Sequence, residues 1–479
     1  MSKFSQPGQF EGEIIDDAQG ELNETASVAV AQRKQRQQRI TLAWSTSLIS
    51  KVATVGVQLI AVPLVFRALG EGGYAAYAVV TSSASLIAVL SLGIGGSLVT
   101  PIAEAVAESD HCKQALLMQA GLGPLVLLCI LGSLAVIPLV AFLPLSTLFG
   151  RVGVTGSWDL RTAALIAASA TLAWVPLSSI TFLRQAYQEM HVTHLLGAAS
   201  SLLLCAALMV AAKRSTSVTI FVAVFMLIPL GASALNFGWL FLQRPYLLRS
   251  QGFRAWKDNK HLLADGIRYM GAGLSSVLLY QWPVYWVGRV MPSSTSSWFA
   301  VCMQAVVLPM GSVFGLLMPL WPSIADAVAR SDHHWLDGAM KKGRVVAAAV
   351  GGCAFLTALI FGEQLLHLWL RKPVILSWQV RGLMGVYVLL AIWEYYYFML
   401  ALGFGQLREA ASAIFHRSLA FSIVVPLLTA LGGVTALWCG MCCSILFWTA
   451  WRLPSMLNVP GAQDTPRMIP SRRPARKHR

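Results

Sequence analysis

The sequence predicts an all-α membrane protein: about twelve transmembrane helices in two six-helix pseudo-symmetric lobes around a central cavity. Three observations predict it. Uncharged runs of 22, 29 and 36 residues lie between Arg161 and Arg184, Arg214 and Arg244, and Arg289 and Asp326, whereas a helix crosses the hydrocarbon with about 20. Of 479 residues, 56% are hydrophobic and 12% charged, about half the charge of a soluble domain. Finally, IAEAVAESDH at 102–111 returns as IADAVARSDH at 324–333, eight of ten residues identical at an offset of 222. The same offset sets Arg67 on Arg289, Tyr77-Ala78-Val79 on Phe299-Ala300-Val301, Gly93 on Gly315 and Leu98 on Leu320. Two copies of one multi-helix unit are a common build for transporters, with the substrate path between them.

In chain order, the polar arm 1–40 is acidic at first and then basic in RKQRQQR; with few large apolar residues it is expected to be largely disordered or surface-lying. No cleavable signal peptide is visible, because the first apolar segment begins near Leu42. Helices are then expected at 42–66, 74–100, 115–143, 162–183, 194–212 and 216–243, forming the first lobe (41–243). A basic linker, 244–262, leads to a second lobe (263–455) with helices at 269–290, 297–321, 345–369, 380–403, 410–430 and 433–453. Only Gly432 and Gly433 mark a turn between the last two. A basic tail, 456–479, follows. No loop outside the membrane is long enough to hold a catalytic domain, so no enzyme is expected. Eight cysteines lie mostly in apolar segments and give no disulfide framework. Cys439, Cys442 and Cys443 have no flanking His or carboxylate and read as packing, so neither a metal nor a cofactor is expected.

With the N-terminus in the cytoplasm, 26 of the 36 Lys and Arg fall on the cytoplasmic face and nine on the other, as the positive-inside rule requires. Both termini are therefore placed inside. The net charge of +15 reads as topology and attraction to anionic membrane lipids; it does not require a nucleic-acid partner.

Near the end of the first helix stands Pro63-Leu-Val-Phe-Arg67-Ala-Leu-Gly70-Glu-Gly-Gly73-Tyr74, followed by LSLGIGGSLV at 90–99, with Val287-Gly-Arg289 and PLWPSIADAVARSD in the second half. This pattern resembles the bacterial polysaccharide transporter family, the O-antigen and exopolysaccharide flippases of the multidrug/oligosaccharidyl-lipid/polysaccharide exporter superfamily. The second half departs from it with Pro-Ser-Ser-Thr where the first has Gly-Glu-Gly-Gly. The resemblance covers nearly all of 41–455. It implies a twelve-helix, two-lobed protein of the bacterial inner membrane whose lobes rock about a central, often cationic cavity. Its substrate would be an undecaprenyl-pyrophosphate-linked oligosaccharide, and polysaccharide polymerase and export machinery would be further partners. Two alternatives stay open: a multidrug or cation exporter, whose cavity should be dominated by acids, and a polymerase or ligase, which should carry a large outer loop with Arg or His.

Several residues are candidates for the substrate path. Ser47, Lys51, Thr54 and Gln58 form one polar stripe along the first helix. Lys51 would either attract the substrate pyrophosphate or snorkel to the headgroups. Arg67 and Arg289 occupy equivalent outer helix ends, as anchors or as substrate contacts. Tyr280, Gln281, Trp282 and Tyr285 would stack on sugar rings or face lipid. Glu394 is the deepest acid, either a coupling site for a proton or cation or a partner for Lys51 or another basic group. Glu363 and His367, four apart, read as an interfacial hydrogen-bonded pair or a proton relay. The repeated Ser-Asp-His loops at 109–111 and 331–333 read as helix caps, with a gating role at most.

Overall fold

The computed structural model describes residues 8–91, 93–154, 158–248, 266, 270–271, 273–317, 320–330 and 332–457. Most of the tail and most of the linker lie outside these residues. Eight described helices are long and apolar enough to cross a membrane, and two of them are double. Ser45–Ala88 has 44 residues, about 66 Å at 1.5 Å per residue, or twice the hydrocarbon thickness. It breaks at Gly70 (φ 67°), a left-handed conformation that glycine adopts without a Cβ clash. Leu407–Leu457, 51 residues, breaks at Gly432–Gly433, where Gly433 has φ 59°. The glycines that suggested a turn between the last two helices therefore make one.

Dividing these helices and adding 273–290, and Ser293–Leu317 with Leu320–Ala329 counted together, yields twelve spans among the described residues. Span 1 runs to 69 and span 2 from 71 to 107, with a break at 89–93. Spans 3 to 6 are His111–Phe142, Asp159–Ala186, Met190–Arg214 and Val218–Gln243. Span 7 reaches 290 and span 8 ends at 329. Spans 9 and 10 are His333–Leu370 and Trp378–Gly403, and spans 11 and 12 divide at the second glycine break. The first face, with the turns at 107–111 and 186–190, is called here the terminal face; the opposite one is the Gly70 face.

Two expectations need correction. The arm, expected to be disordered or surface-lying, has helical backbone from Gly8 into span 1, which departs from disorder and leaves the surface-lying alternative untouched; Glu, Gln, Ala, Lys and Arg are good helix formers, so low apolar content does not preclude a helix. Span 2 is interrupted, because Gly93 is left-handed (φ 64°) and restarts the helix at Ile94.

The duplication is visible bond by bond. Asp110 accepts from the Lys113 amide at 2.9 Å and Asp332 from the Trp335 amide at 3.0 Å, so each aspartate caps the next span. In both copies the aspartate amide donates to the carbonyl five residues back, Ala105 or Ala327, at 3.0 Å. The Ser-Asp-His loops are thus equivalent caps.

Apolar side chains pack within the first lobe around Val80, Ala163 and Val222, and around Leu98, Leu183 and Leu240. The largest cluster crosses the seam: Phe66 and Tyr74 of the first lobe join Phe299, Tyr387 and Trp438 of the second. Phe66 meets Trp298 at 5.2 Å between ring centroids.

Candidate functional site

Between spans 1, 2, 4, 5 and 6, with span 7 of the second lobe as a wall, lies a cavity of about 720 Å³. Hydroxyl and amide groups line it, among them Thr54, Gln58, Ser201, Ser233, Asn236 and Gln281; Trp174, Phe225 and Tyr280 add ring faces. None of the described residues lining it is an acid or a base. Glycans bear many hydroxyls on rings with apolar faces, and such a surface complements them by hydrogen bonding and stacking.

Span 7 reaches the cavity through a local distortion. Residues Val277–Gln281 form a π-helical turn directly before Trp282 and Pro283. Proline has no N–H for the carbonyl four residues back, and a π-bulge absorbs that mismatch. Tyr280 and Gln281 sit in the bulge, and Gln281 Oε1 accepts from Ser82 Oγ of span 2 at 3.1 Å.

The structure brings Gln58, Tyr280 and Gln281 together in the cavity wall. Lys51 is exposed and absent from the lining. It lies two turns from Gln58 on the same helix face, about 10 Å toward the terminal face, and its charge acts on His194 of span 5. Trp282 and Tyr285 turn elsewhere: Trp282 donates to the Ser422 carbonyl at 3.1 Å and Tyr285 to that of Leu148 at 2.6 Å.

Arg67 and Arg289 are at the Gly70 face and belong to the lobe seam. Arg67 Nε donates to the Leu370 carbonyl at 2.9 Å and Nη2 to that of Trp369 at 3.4 Å, which satisfies the carbonyl end of span 9 with a cation. Trp369 returns a bond to the Leu59 carbonyl at 2.6 Å. Arg289 bonds Tyr285 at 3.4 Å, and its backbone lies so close to Gly150 that a Cβ there would stand 2.1 Å from the Arg289 carbonyl. Span 1 is thus latched to the second lobe and span 7 to the first.

Glu394 forms an ion pair with Arg417 of span 11 at 3.1 Å, the two side chains 9% and 2% exposed. Of the partners left open for it, the structure selects a basic group other than Lys51. Arg417 lies in the core of the second lobe. Glu363 and His367 do not pair: Glu363 meets Arg381 at 3.5 Å and His367 Nδ1 meets the Lys372 carbonyl at 2.8 Å. The loop after span 9 turns back and supplies closer partners.

Sequence reasoning missed Arg184 and Asn236. Arg184, fully buried, contacts Glu189 at 2.5 Å, Gln243 at 2.9 Å and Asn236 at 3.0 Å. Arg244 shares Glu189 at 2.5 Å. Burial raises the Glu189 pKa, but the bonds from Arg244 and Arg184 outweigh that and hold it below the usual carboxylate range. The available signal was Asn236 itself, the lone asparagine inside the 29-residue apolar run.

The sequence matches a family described as "Polysaccharide biosynthesis protein" over residues 40–328. No curated protein matches the chain. Among solved structures, an inward-facing multidrug resistance MATE family transporter of the MOP superfamily superposes with a TM-score of 0.67 at 13% identity, over 86% of this chain and 99% of that one. The eukaryotic MATE transporter AtDTX14 gives 0.62 at 15% identity, over 90% and 97%. A MOP superfamily transporter from Pyrococcus furiosus, whose description notes a reversed polarity of the binding pocket, gives 0.56 at 15%, over 89% and 97%. The chain belongs to the polysaccharide biosynthesis protein family and has the two-lobed fold of the MOP superfamily.

Proposed function

We propose that this protein moves undecaprenyl-pyrophosphate-linked oligosaccharide from the cytoplasmic to the periplasmic leaflet of the bacterial inner membrane by alternating access. The observation that carries the reading is a hydroxyl- and amide-lined cavity in the first lobe, walled on one side by span 7 of the second, with the two lobes latched at the Gly70 face. With the termini in the cytoplasm, that latch is periplasmic and this state receives substrate from inside. The glycan enters the cavity and contacts Gln58, Tyr280 and Gln281, while the lipid tail stays in the bilayer. Lys51, at the cytoplasmic mouth, attracts the pyrophosphate, and release of the Arg67 and Arg289 contacts opens the other side. Such a change of state needs a ligand that binds the two conformations differently.

The family supports this substrate class over a cation exporter, and so does the lining, because an exporter of cations needs a carboxylate in its cavity wall. The test is a strain whose surface polymer depends on this protein. Deleting the gene should abolish polymer and accumulate lipid-linked repeat units whose glycan is reachable only from the cytoplasm. Units exposed to the periplasm instead would assign the protein to polymerisation and contradict the reading. In the same strain Lys51→Ala should reduce export at normal protein levels; undiminished export removes Lys51 from the path.

A further inference from the structure

At the terminal end of the cavity a buried cation stands behind one removable amide. Arg184 has no exposed surface. Its Nη1 is taken by Glu189 and Gln243, and its Nε donates to Asn236 Oδ1 at 3.0 Å. Its Nη2 is buried and has no hydrogen-bond partner. On a guanidinium, Nε and Nη2 share one edge and present two parallel N–H groups. The unfilled prong therefore points to the same side as Asn236, and Asn236 is a wall residue of the cavity. Its own Nδ2 donates to Thr193 Oγ1 at 3.2 Å, and Thr193 also lines the cavity.

The local charge is unbalanced as well. Glu189 serves both Arg184 and Arg244, so two guanidinium groups share one carboxylate and a net positive charge remains. A buried donor without a partner is destabilising, and an acceptor that fills it removes that penalty.

We propose that Arg184 binds a phosphate group of the substrate: Asn236 rotates away from Nε, and two phosphate oxygens take the Nε–Nη2 edge as a bidentate pair. This rests on the translocation reading and adds to it a specific anion site. Asn236 is the placeholder that keeps the edge occupied when substrate is absent. No covalent step is involved. Arg184 lies in the last turn of span 4 at the terminal face, the side from which the proposed substrate enters.

The test is binding to the purified full chain in nanodiscs, using undecaprenyl pyrophosphate, inorganic pyrophosphate and phosphatidylglycerol as separate probes. Wild type should prefer undecaprenyl pyrophosphate. Arg184→Lys keeps a cation facing Glu189 but loses the paired edge, and should weaken binding tenfold or more. Asn236→Asp lays a fixed carboxylate across the edge and should weaken it as much, at unchanged side-chain size, whereas Asn236→Ala frees the edge and should bind at least as tightly as wild type. Wild-type affinity in both Arg184→Lys and Asn236→Asp would overturn the site and leave the translocation reading standing. Equal binding of phosphatidylglycerol would assign the site to ordinary lipid headgroups, and equal binding of inorganic pyrophosphate to a soluble anion; either overturns the proposal. Absence of undecaprenyl pyrophosphate binding in wild type would remove both the site and the reading beneath it.

Discussion

Replacing Glu394 by Leu should be among the most damaging single changes in the second lobe, and replacing Arg417 as well should largely repair it. The pair is 3.1 Å apart with side chains 9% and 2% exposed, so either charge left alone is stranded out of water. Breaking a buried pair costs about 3–5 kcal/mol, while replacing both members with packed apolar groups is often neutral or stabilising. Glu394→Leu and Arg417→Met should each destabilise by that amount, and the double variant should lie within about 1 kcal/mol of wild type. The cycle then returns a coupling energy of about 3 kcal/mol or more. Equilibrium unfolding in mixed micelles measures it, with tryptophan fluorescence as the signal, since Trp438 is fully buried and 6.0 Å from Tyr387 in the same cluster. Single variants within about 1 kcal/mol of wild type would refute the reasoning. The same double variant tests coupling: if Glu394 passes a proton or cation during transport, the refolded pair-free protein is stable and inactive, and if the pair only joins spans 10 and 11, transport survives.

Three further outcomes follow from the geometry. Arg67→Ala removes a charged hydrogen bond at 2.9 Å from the lobe seam, worth about 1.5 kcal/mol or roughly a tenfold shift in population; spin labels at Glu71 and Ile375 should show the Gly70 face opening more often, and an unchanged distance distribution would contradict the latch. Asp110→Ala and Asp332→Ala should each cost about 1 kcal/mol with the Asn variants nearly neutral, and clearly unequal costs would count against equivalence of the two copies. Glu189 has a depressed folded-state pKa, so its contribution to stability is present above its unfolded value, about 4.3, and is lost as pH falls through the folded value. Melting curves between pH 7 and pH 3 should show that loss in wild type and a flatter acid limb in Glu189→Gln.

Much of the architecture was legible because it depends on repetition and length. The 222-residue offset predicted equivalent caps, and Asp110 and Asp332 make the same bonds. Gly70 and Gly433 were legible as turns because a helix twice the membrane thickness must fold back. Composition read the arm less well, since polarity limits core formation but not helix formation. At the site, Gln58, Tyr280 and Gln281 were found through a polar stripe and an aromatic cluster. Sequence could not tell that Arg67 and Arg289 close the seam, because their partners are backbone carbonyls, which carry no signature. Arg184 lies near a helix end and Arg417 inside span 11, and their own sequence does not reveal that either is buried; burial depends on neighbouring spans, and Asn236 and Glu394 are the neighbours that hold them.

The most direct test of the account is transbilayer movement in proteoliposomes containing only this protein and a fluorescent undecaprenyl-pyrophosphate-linked oligosaccharide. Protein-dependent loss of glycan from the leaflet facing the chain termini, abolished by a reducible bis-thiol cross-linker joining Glu71→Cys to Ile375→Cys across the Gly70 face and restored by reduction, is the predicted result. Movement that proceeds at full rate with the lobes cross-linked, or no movement in the reduced protein, would contradict it.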